Sequence, residues 1–476
     1  MMGTMQELKI SCGLGLALCV FAIDLVALRA LADDIKPASY YHDILPVFKR
    51  SCTGCHHPGK LKGGLDLTSY AGVAKGGKHG PAFQAGDPAK SRLLAQVSGT
   101  EPSMPKEGDP LSTGEVALIA RWVGEGAKDD SPDLSNAFKL AKAPEYSAAP
   151  VISALAFSPD GKMLAVSGYH EVLLHQGDGS GLLARLVGES PRIESLAFSS
   201  DGKWLAVSGG APARFGEIQI WDAQTHQESK SFKISDDSLY GAAFSPDNQR
   251  LAFGCADKTL RVISAADGKE WLTFDAHSDW VFGAIFTHDG KRVLSCSRDK
   301  AMKLLDAGTG QFIDDVNKLL DGILCFARHP KLDEVIYGGD LGMARLYRIS
   351  DNQNRGGGDT ARDANLVREF ERQPGPIHAV AFSPDGLRVA LGGMGGEVRI
   401  YAVGDGQLAA RLKGNQGAVF SVMFNPANEQ IATGGYDGKV RLFDSNSGKL
   451  ITSFIPVPIS SPEKLAGAAS TASSPR

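Results

Sequence analysis

One five-residue signature recurs through the second part of the chain, and its period constrains the fold. It reads Phe157-Ser-Pro-Asp-Gly, Phe198-Ser-Ser-Asp-Gly, Phe244-Ser-Pro-Asp-Asn, Phe286-Thr-His-Asp-Gly, Phe382-Ser-Pro-Asp-Gly and Phe424-Asn-Pro-Ala-Asn. A degenerate seventh copy, Arg328-His329-Pro330, lies between the fourth and fifth of these. The spacing is mostly 41 to 46 residues, the period of four-stranded propeller blades. The longer gap before Phe382 is read as an insertion from Asn352 to Asn365, rich in Gly, Asp and Arg, which predicts a surface loop. Within a unit, apolar residues occupy odd and even positions alike: Val151, Leu155 and Phe157 as well as Ile152, Ala154 and Ala156. Such strands need burial on both faces. Seven units over residues 148–456 are expected to close one ring, and residues 457–476 read as a disordered tail.

The third strand of a unit ends in variants of Trp-Asp. Ile220-Trp221-Asp222 carries the dipeptide itself. Ser297-Arg298-Asp299-Lys300 with Leu304-Leu305-Asp306, and Tyr436-Asp437-Gly438-Lys439 with Leu442-Phe443-Asp444, follow it closely. In these residues the region resembles WD40 repeats, which implies a seven-bladed propeller that docks a protein partner on one face. His277 stands where such repeats carry a structural histidine. Most units lack the Gly-His start and the Trp, which puts the internal hydrogen-bonding tetrad in question. His170, His175, His226, His277, His288, His329 and His378 are scattered singly; a second metal or haem site would need them to converge.

The other decisive feature is Cys52-Thr53-Gly54-Cys55-His56, the pattern that attaches c-type haem. Two thiols can form thioethers to the haem vinyl groups, and the adjacent imidazole can ligate the iron. Composition predicts only ~0.002 chance occurrences of this pattern. A zinc half-site would need further ligands nearby, and no other Cys follows before Cys255. A thioredoxin-like pair would need a βαβ context, which is absent. One covalent haem c is therefore expected, with Cys52 and Cys55 as attachment points and His56 as one axial ligand.

Residues 33–127 read as helical. Tyr41 to Arg50 places Ile44, Leu45 and Phe48 on one stripe leading into Cys52. Gly63-Gly64 breaks the chain. Asp87-Pro88 predicts a second helix with Asp87 as its cap, and Ser112-x-x-Glu115 predicts a third that ends near Gly124. Met104 is the sole methionine between residues 33 and 162 and lies in a stiff, Pro-flanked loop, which nominates it as the sixth iron ligand. His79, His42 and His57 are rivals. Phe48 through Ala127 resembles the planctomycete-type cytochrome c domain. The marks are Cys-x-x-Cys-His, Gly-Gly-Leu-Asp-Leu (63–67), Lys-Gly-Gly (75–77), Gly-Asp-Pro-Ala-Lys-Ser (86–91) and Met-Pro (104–105). That resemblance implies haem binding and electron transfer. The fold class is thus multidomain: an all-α c-type cytochrome followed by an all-β seven-bladed WD40 propeller, joined by a polar linker at 128–147.

Residues 1–32 read as a signal peptide, with Lys9, an apolar run from Ile10 to Ile23, and Ala30-Leu31-Ala32 for cleavage. The run is short of the ~20 residues that span a bilayer, so cleavage is expected over an anchor, leaving no stable membrane span. The expected location is periplasmic or envelope-associated. A net charge of −4 argues against nucleic acid as a partner. Lys49, Arg50, Lys60, Lys62, Lys75 and Lys78 against Asp66 suggest a basic rim that would steer an acidic redox partner, although a merely solvated face reads the same way. Cys255, Cys296 and Cys325 read as buried small apolar residues, a Cys255–Cys296 bridge being the alternative. Three functions fit: an electron carrier held by a docking scaffold, an oxidoreductase with a second cofactor in the propeller, and a haem-based redox sensor.

Overall fold

The computed structural model describes residues 36–57, 61–106, 108–131, 142–275, 277–318, 320–349 and 365–459. The expected signal peptide, most of the insertion, half of the linker and residues 460–476 lie outside the described residues. The chain divides into two compact units, Met1–Leu134 and Ser135–Arg476. No described helix is long and apolar enough to cross a membrane.

The first unit is helical. A wide turn, Tyr40–Ile44, is capped by Ser39, whose hydroxyl accepts from His42 N at 2.9 Å, and runs into α1, Leu45–Ser51. Helix α2, Tyr70–Lys75, starts at Ser69, which accepts from Gly72 N. It is absent from the expectations because Gly72 dilutes its apolar pattern. Helix α3 spans Arg92–Val97, not the stretch expected from Asp87. Pro88–Lys90 forms a single tight turn, Asp87 makes no cap bond and instead pairs with Lys90 at 2.9 Å, and the extended backbone at Ser91 restarts the helix. Helix α4, Thr113–Gly124, carries the expected capping box: Glu115 N donates to Ser112 Oγ at 3.3 Å, and Ser112 N donates to Glu115 Oε2 at 2.8 Å. The core joins Tyr40, Ile44, Phe48, Val73, Leu94 and Trp122. The Trp122 ring sits 5.1 Å from Phe83 and 5.5 Å from Tyr40 and donates from Nε1 to Lys128 O.

The second unit contains six antiparallel sheets among the described residues, one of seven strands and five of four, each with strands in sequential order. This arrangement is consistent with a β-propeller. The sheets number six because one 17-residue strand, Leu182–Phe198, joins the first two repeats. Its first part pairs with Tyr169–Gln176 (Val172 opposite Leu186), and its last part pairs with Trp204–Ala211 (Leu196 opposite Val207).

The cores lie between repeats. Phe253 clusters with Ile218 of the preceding repeat, and Leu346 with Val389 of the following one. The last sheet reaches the first: Ile152 N donates to Gly435 O at 3.0 Å, Leu155 N to Ser421 Oγ at 2.9 Å, and Asn425 Nδ2 to Gly161 O at 3.1 Å. Tyr146 and Ile459 form a parallel bridge beside them. Residues 457–459, read from sequence as part of the tail, belong to this closure, and Val457 is buried in it. Asn365, read as the end of the insertion, is also buried and donates to Val316 O.

The recurring signature builds one turn. Ser158 Oγ donates to Asp160 Oδ1 at 2.6 Å and accepts from Met163 N at 3.0 Å. The same pair recurs at Ser199/Asp201, Ser245/Asp247, Thr287/Asp289 and Ser383/Asp385. The next position has positive φ, 70° at Gly161 and 59° at Asn248, which is why Asn substitutes for Gly there.

The internal polar clusters are heterogeneous. His277 bonds Asp299 Oδ2 at 2.8 Å and Ser295 Oγ at 2.7 Å. Trp221 Nε1 donates to Gln219, whose amide donates to buried Glu217. Elsewhere a buried ion pair takes this role: Asp257–Arg261, Asp321–Arg345 and Asp437–Arg441.

Glu171 has a fully buried side chain held by two 2.7 Å bonds from Arg185 and one from Tyr146 Oη. Arg185→Leu would strand that charge and is expected to cost about 3–5 kcal/mol in urea unfolding, with part recovered by adding Glu171→Gln. Burial alone would raise the Asp299 carboxyl, but the His277 hydrogen bond and charge and the Ser278 and Ala301 amides outweigh it and hold it at about 2. Its folded value lies below the unfolded ~3.9, so its stabilisation is complete above about pH 4 and is lost as pH falls toward 2. In acid titrations of stability, His277→Asn should flatten the slope in that window.

Candidate haem-attachment site

Helix α1 delivers the motif. Cys52 N and Thr53 N both donate to Phe48 O, at 2.8 and 3.0 Å, closing the helix. Cys55 N and His56 N then donate to Cys52 O, both at 3.1 Å, so Cys52 through His56 form one tight turn. Leu67 N donates to His56 O at 2.9 Å and anchors the far side. The loop between is pinned by Lys78 N donating to Gly63 O. Gly64 has φ 70°, and a Cβ there would meet Lys78 at 2.9 Å, so the glycine pair permits this close return.

Cys52, Cys55 and His56 are half-buried, and both cysteines are free thiols. Burial pushes the Cys52 thiol up to about 11 against the opposing pull of Arg50. That is the opposite of the lowered thiol a redox Cys-x-x-Cys uses. Nδ1 of His56 is buried and has no hydrogen-bond partner among the described residues. Leaving such a nitrogen unpaired costs about 1–3 kcal/mol. Among the described residues no group of three or more His, Cys, Asp or Glu side chains is placed to hold a metal ion. Covalent haem c fits this donor set.

Met104 packs, partly buried, against the same core as Cys52. Its loop is tied to α3: Met104 N donates to Gln96 O at 2.9 Å, and Ser103 Oγ to Gln96 Oε1 at 2.7 Å. The peptide bond to Pro105 is cis. His42 and His79 are exposed. Lys49, Arg50, Lys62, Lys75 and Lys78 are all exposed, while Lys60 lies outside the described residues. Arg50 is ion-paired with Glu115 of the α4 capping box, a contact 65 residues apart that the sequence pattern did not signal.

Four of the propeller histidines make contacts within the fold. His175 Nε2 meets Pro456 O at 2.9 Å, His288 Nε2 meets His329 O at 2.9 Å, and His329 Nε2 meets Gly386 O at 3.1 Å. The His378 ring packs edge-on to Phe420. Cys255, Cys296 and Cys325 are free, so the Cys255–Cys296 bridge is not formed. Burial pushes Cys255 and Cys325 up to about 12 and Cys296 well above its ordinary value.

Residues 52–108 match the family described as planctomycete cytochrome C. Residues 191–466 match the family described as nucleolar protein 10-like, N-terminal domain, a β-propeller. No curated protein matches the chain. The first match includes Met104-Pro105 but stops before α4, short of the Ala127 expected from sequence.

In the haem-free chain, alkylation of Cys52 at pH 8 should run roughly 100-fold slower than that of a thiol with an ordinary pKa. Mass spectrometry of iodoacetamide-treated protein reads this directly, and Cys255 and Cys296 should label only after unfolding.

Proposed function

Starting from a chain that belongs to the nucleolar protein 10-like N-terminal-domain family through more than half its length and carries a planctomycete cytochrome C domain ahead of it, we propose an exported electron carrier with one covalent haem c, held near its partner by a propeller. The observation that carries this reading is the turn Cys52–His56, which brings two free thiols and the adjacent imidazole together. In it, Cys52 and Cys55 would anchor the haem, and His56 and Met104 would ligate its iron. The haem, when bound, supplies a one-electron couple. The chain's own residues do the rest. Helix α1 fixes the attachment turn, and the bond to Gln96 O holds the Met104 loop beside the core that Cys52 packs against. A thioether ligand favours the ferrous state and raises the potential.

The propeller is read as seven blades of WD40 type. The seven-stranded sheet counts as two four-stranded blades that share Leu182–Phe198, because its two parts pair in opposite directions along the chain. Its role in this reading is to dock a protein. A tether then raises the effective concentration of the haem unit without requiring tight binding. The exposed Lys62, Lys75 and Lys78 favour an acidic redox partner. The leader at residues 1–32 supports export to the periplasm or envelope, where haem attachment of this kind takes place.

Spectroscopy of the purified chain tests the assignment. One low-spin c haem per chain with a methionine-to-ferric charge-transfer band is expected. Met104→Ala should abolish that band and lower the potential by a fraction of the roughly 0.8 V that axial ligation spans. Cys52→Ala with Cys55→Ala should release haem from denatured protein. A high-spin or bis-histidine spectrum overturns Met104, and bands from a second cofactor overturn the carrier reading in favour of an oxidoreductase.

A further inference from the structure

A groove of about 600 Å³ runs between the second and third repeats of the propeller unit, independent of the haem site in residues, fold and chemistry. Two of the four tryptophans that follow residue 150 line it, Trp204 and Trp271. Trp271 lies on the outermost strand of its sheet, Glu270–Phe274, and is 57% exposed. An indole this exposed forgoes most of the burial that usually retains tryptophan. It is nonetheless held in place. The Arg250 guanidinium sits 5.4 Å from its ring centroid and 5.2 Å from that of Phe286, and donates to Ala307 O and Gly290 O. One side of the indole is therefore braced while much of the ring stays open. Trp204 is half-buried, with the flexible Lys203 ammonium 4.8 Å from its centroid. Ile220, Phe244 and Ala265 add apolar surface.

The polar lining decides the ligand class. Its charged side chains are held by local hydrogen bonds: Lys230 donates to Ala266 O, Arg250 is held as above, and Asp247 accepts from Ser245 Oγ and Gln249 N. Asn248 is bonded to Ser200. The side chains of Gln249 and Ser229 are exposed and carry no hydrogen bond among the described residues. What remains is uncharged donors and acceptors beside two indole surfaces, in a groove sized for a small ligand. A neutral polyhydroxylated chain satisfies both parts, because its C–H faces meet the electron-rich indole faces and its hydroxyls meet the amide.

We propose that this groove binds a neutral oligosaccharide, with Trp271 and Trp204 as stacking surfaces and Gln249 and Ser229 as hydroxyl partners. The full-length protein is titrated with short soluble oligosaccharides of glucose, xylose, mannose and N-acetylglucosamine, followed by tryptophan fluorescence and calorimetry. Saturable binding to at least one is expected. Trp271→Ala should weaken it by about tenfold or more and Gln249→Ala by several-fold. Trp280→Ala, outside the groove, should leave it unchanged, and circular dichroism establishes that each variant is folded. Failure of every sugar to saturate overturns the proposal. So does affinity that Trp271→Ala and Gln249→Ala leave intact, or preferential binding of an unrelated extended peptide along the Glu270–Phe274 edge.

Discussion

Every middle strand of the propeller unit is buried on both faces, so each sheet depends on a neighbour at either side. Met163–Ser167, Arg250–Cys255 and Gln430–Gly435 are apolar or small almost throughout and almost wholly enclosed. A row of such sheets would end in two exposed apolar faces, a large loss at about 25 cal/mol per Å² of surface left in water. Closing the row into a ring removes both ends. The closure is specific: Asn425, the residue that replaces Ser or Thr in the last signature, donates to Gly161 in the first, where a Cβ would lie only 2.2 Å from Asn425 Oδ1. The signature that makes each local turn therefore also supplies the last contact of the ring.

The haem unit follows a different logic. Its helices are short, and α1 has only seven residues. Isolated helices of that length are unstable in water, so the unit depends on its aromatic core and its caps. Tyr40, Tyr70, Phe83 and Trp122 pack as one group, and α4 is fastened by Ser112 and Glu115. The attachment turn inherits its position from this core through Phe48, which is fully buried and whose carbonyl accepts from both Cys52 and Thr53. The site is fixed on its protein side by backbone hydrogen bonds, while His56 Nδ1 has none among the described residues.

The sequence was legible where neighbours in the chain set the structure. The signature turns, the capping box and the Cys-x-x-Cys-His turn all arise from bonds within a few residues, and all appeared where the pattern placed them. Expectation and structure diverged where local signals compete. Asp87-Pro88 looked like a helix start, yet Pro88–Lys90 tightened into one turn and Ser91 took the cap. Helix α2 was hidden by its glycine. The missing tryptophans left the polar clusters open, and the structure fills several of those places with buried Asp–Arg pairs such as Asp257–Arg261 and Asp437–Arg441.

By itself the sequence determined the two-unit organisation, the blade period, the haem-attachment motif and Met104 as the candidate second ligand, because spacing and residue type carry that information directly. Tertiary structure alone decided that Leu182–Phe198 runs unbroken through two repeats, that Val457 and Ile459 complete the ring, that Arg50 reaches Glu115, and that Trp204 and Trp271 line one groove. The reason is physical. These contacts join residues tens to hundreds of positions apart, and their partners are chosen by which surfaces remain to be buried once the local elements have formed.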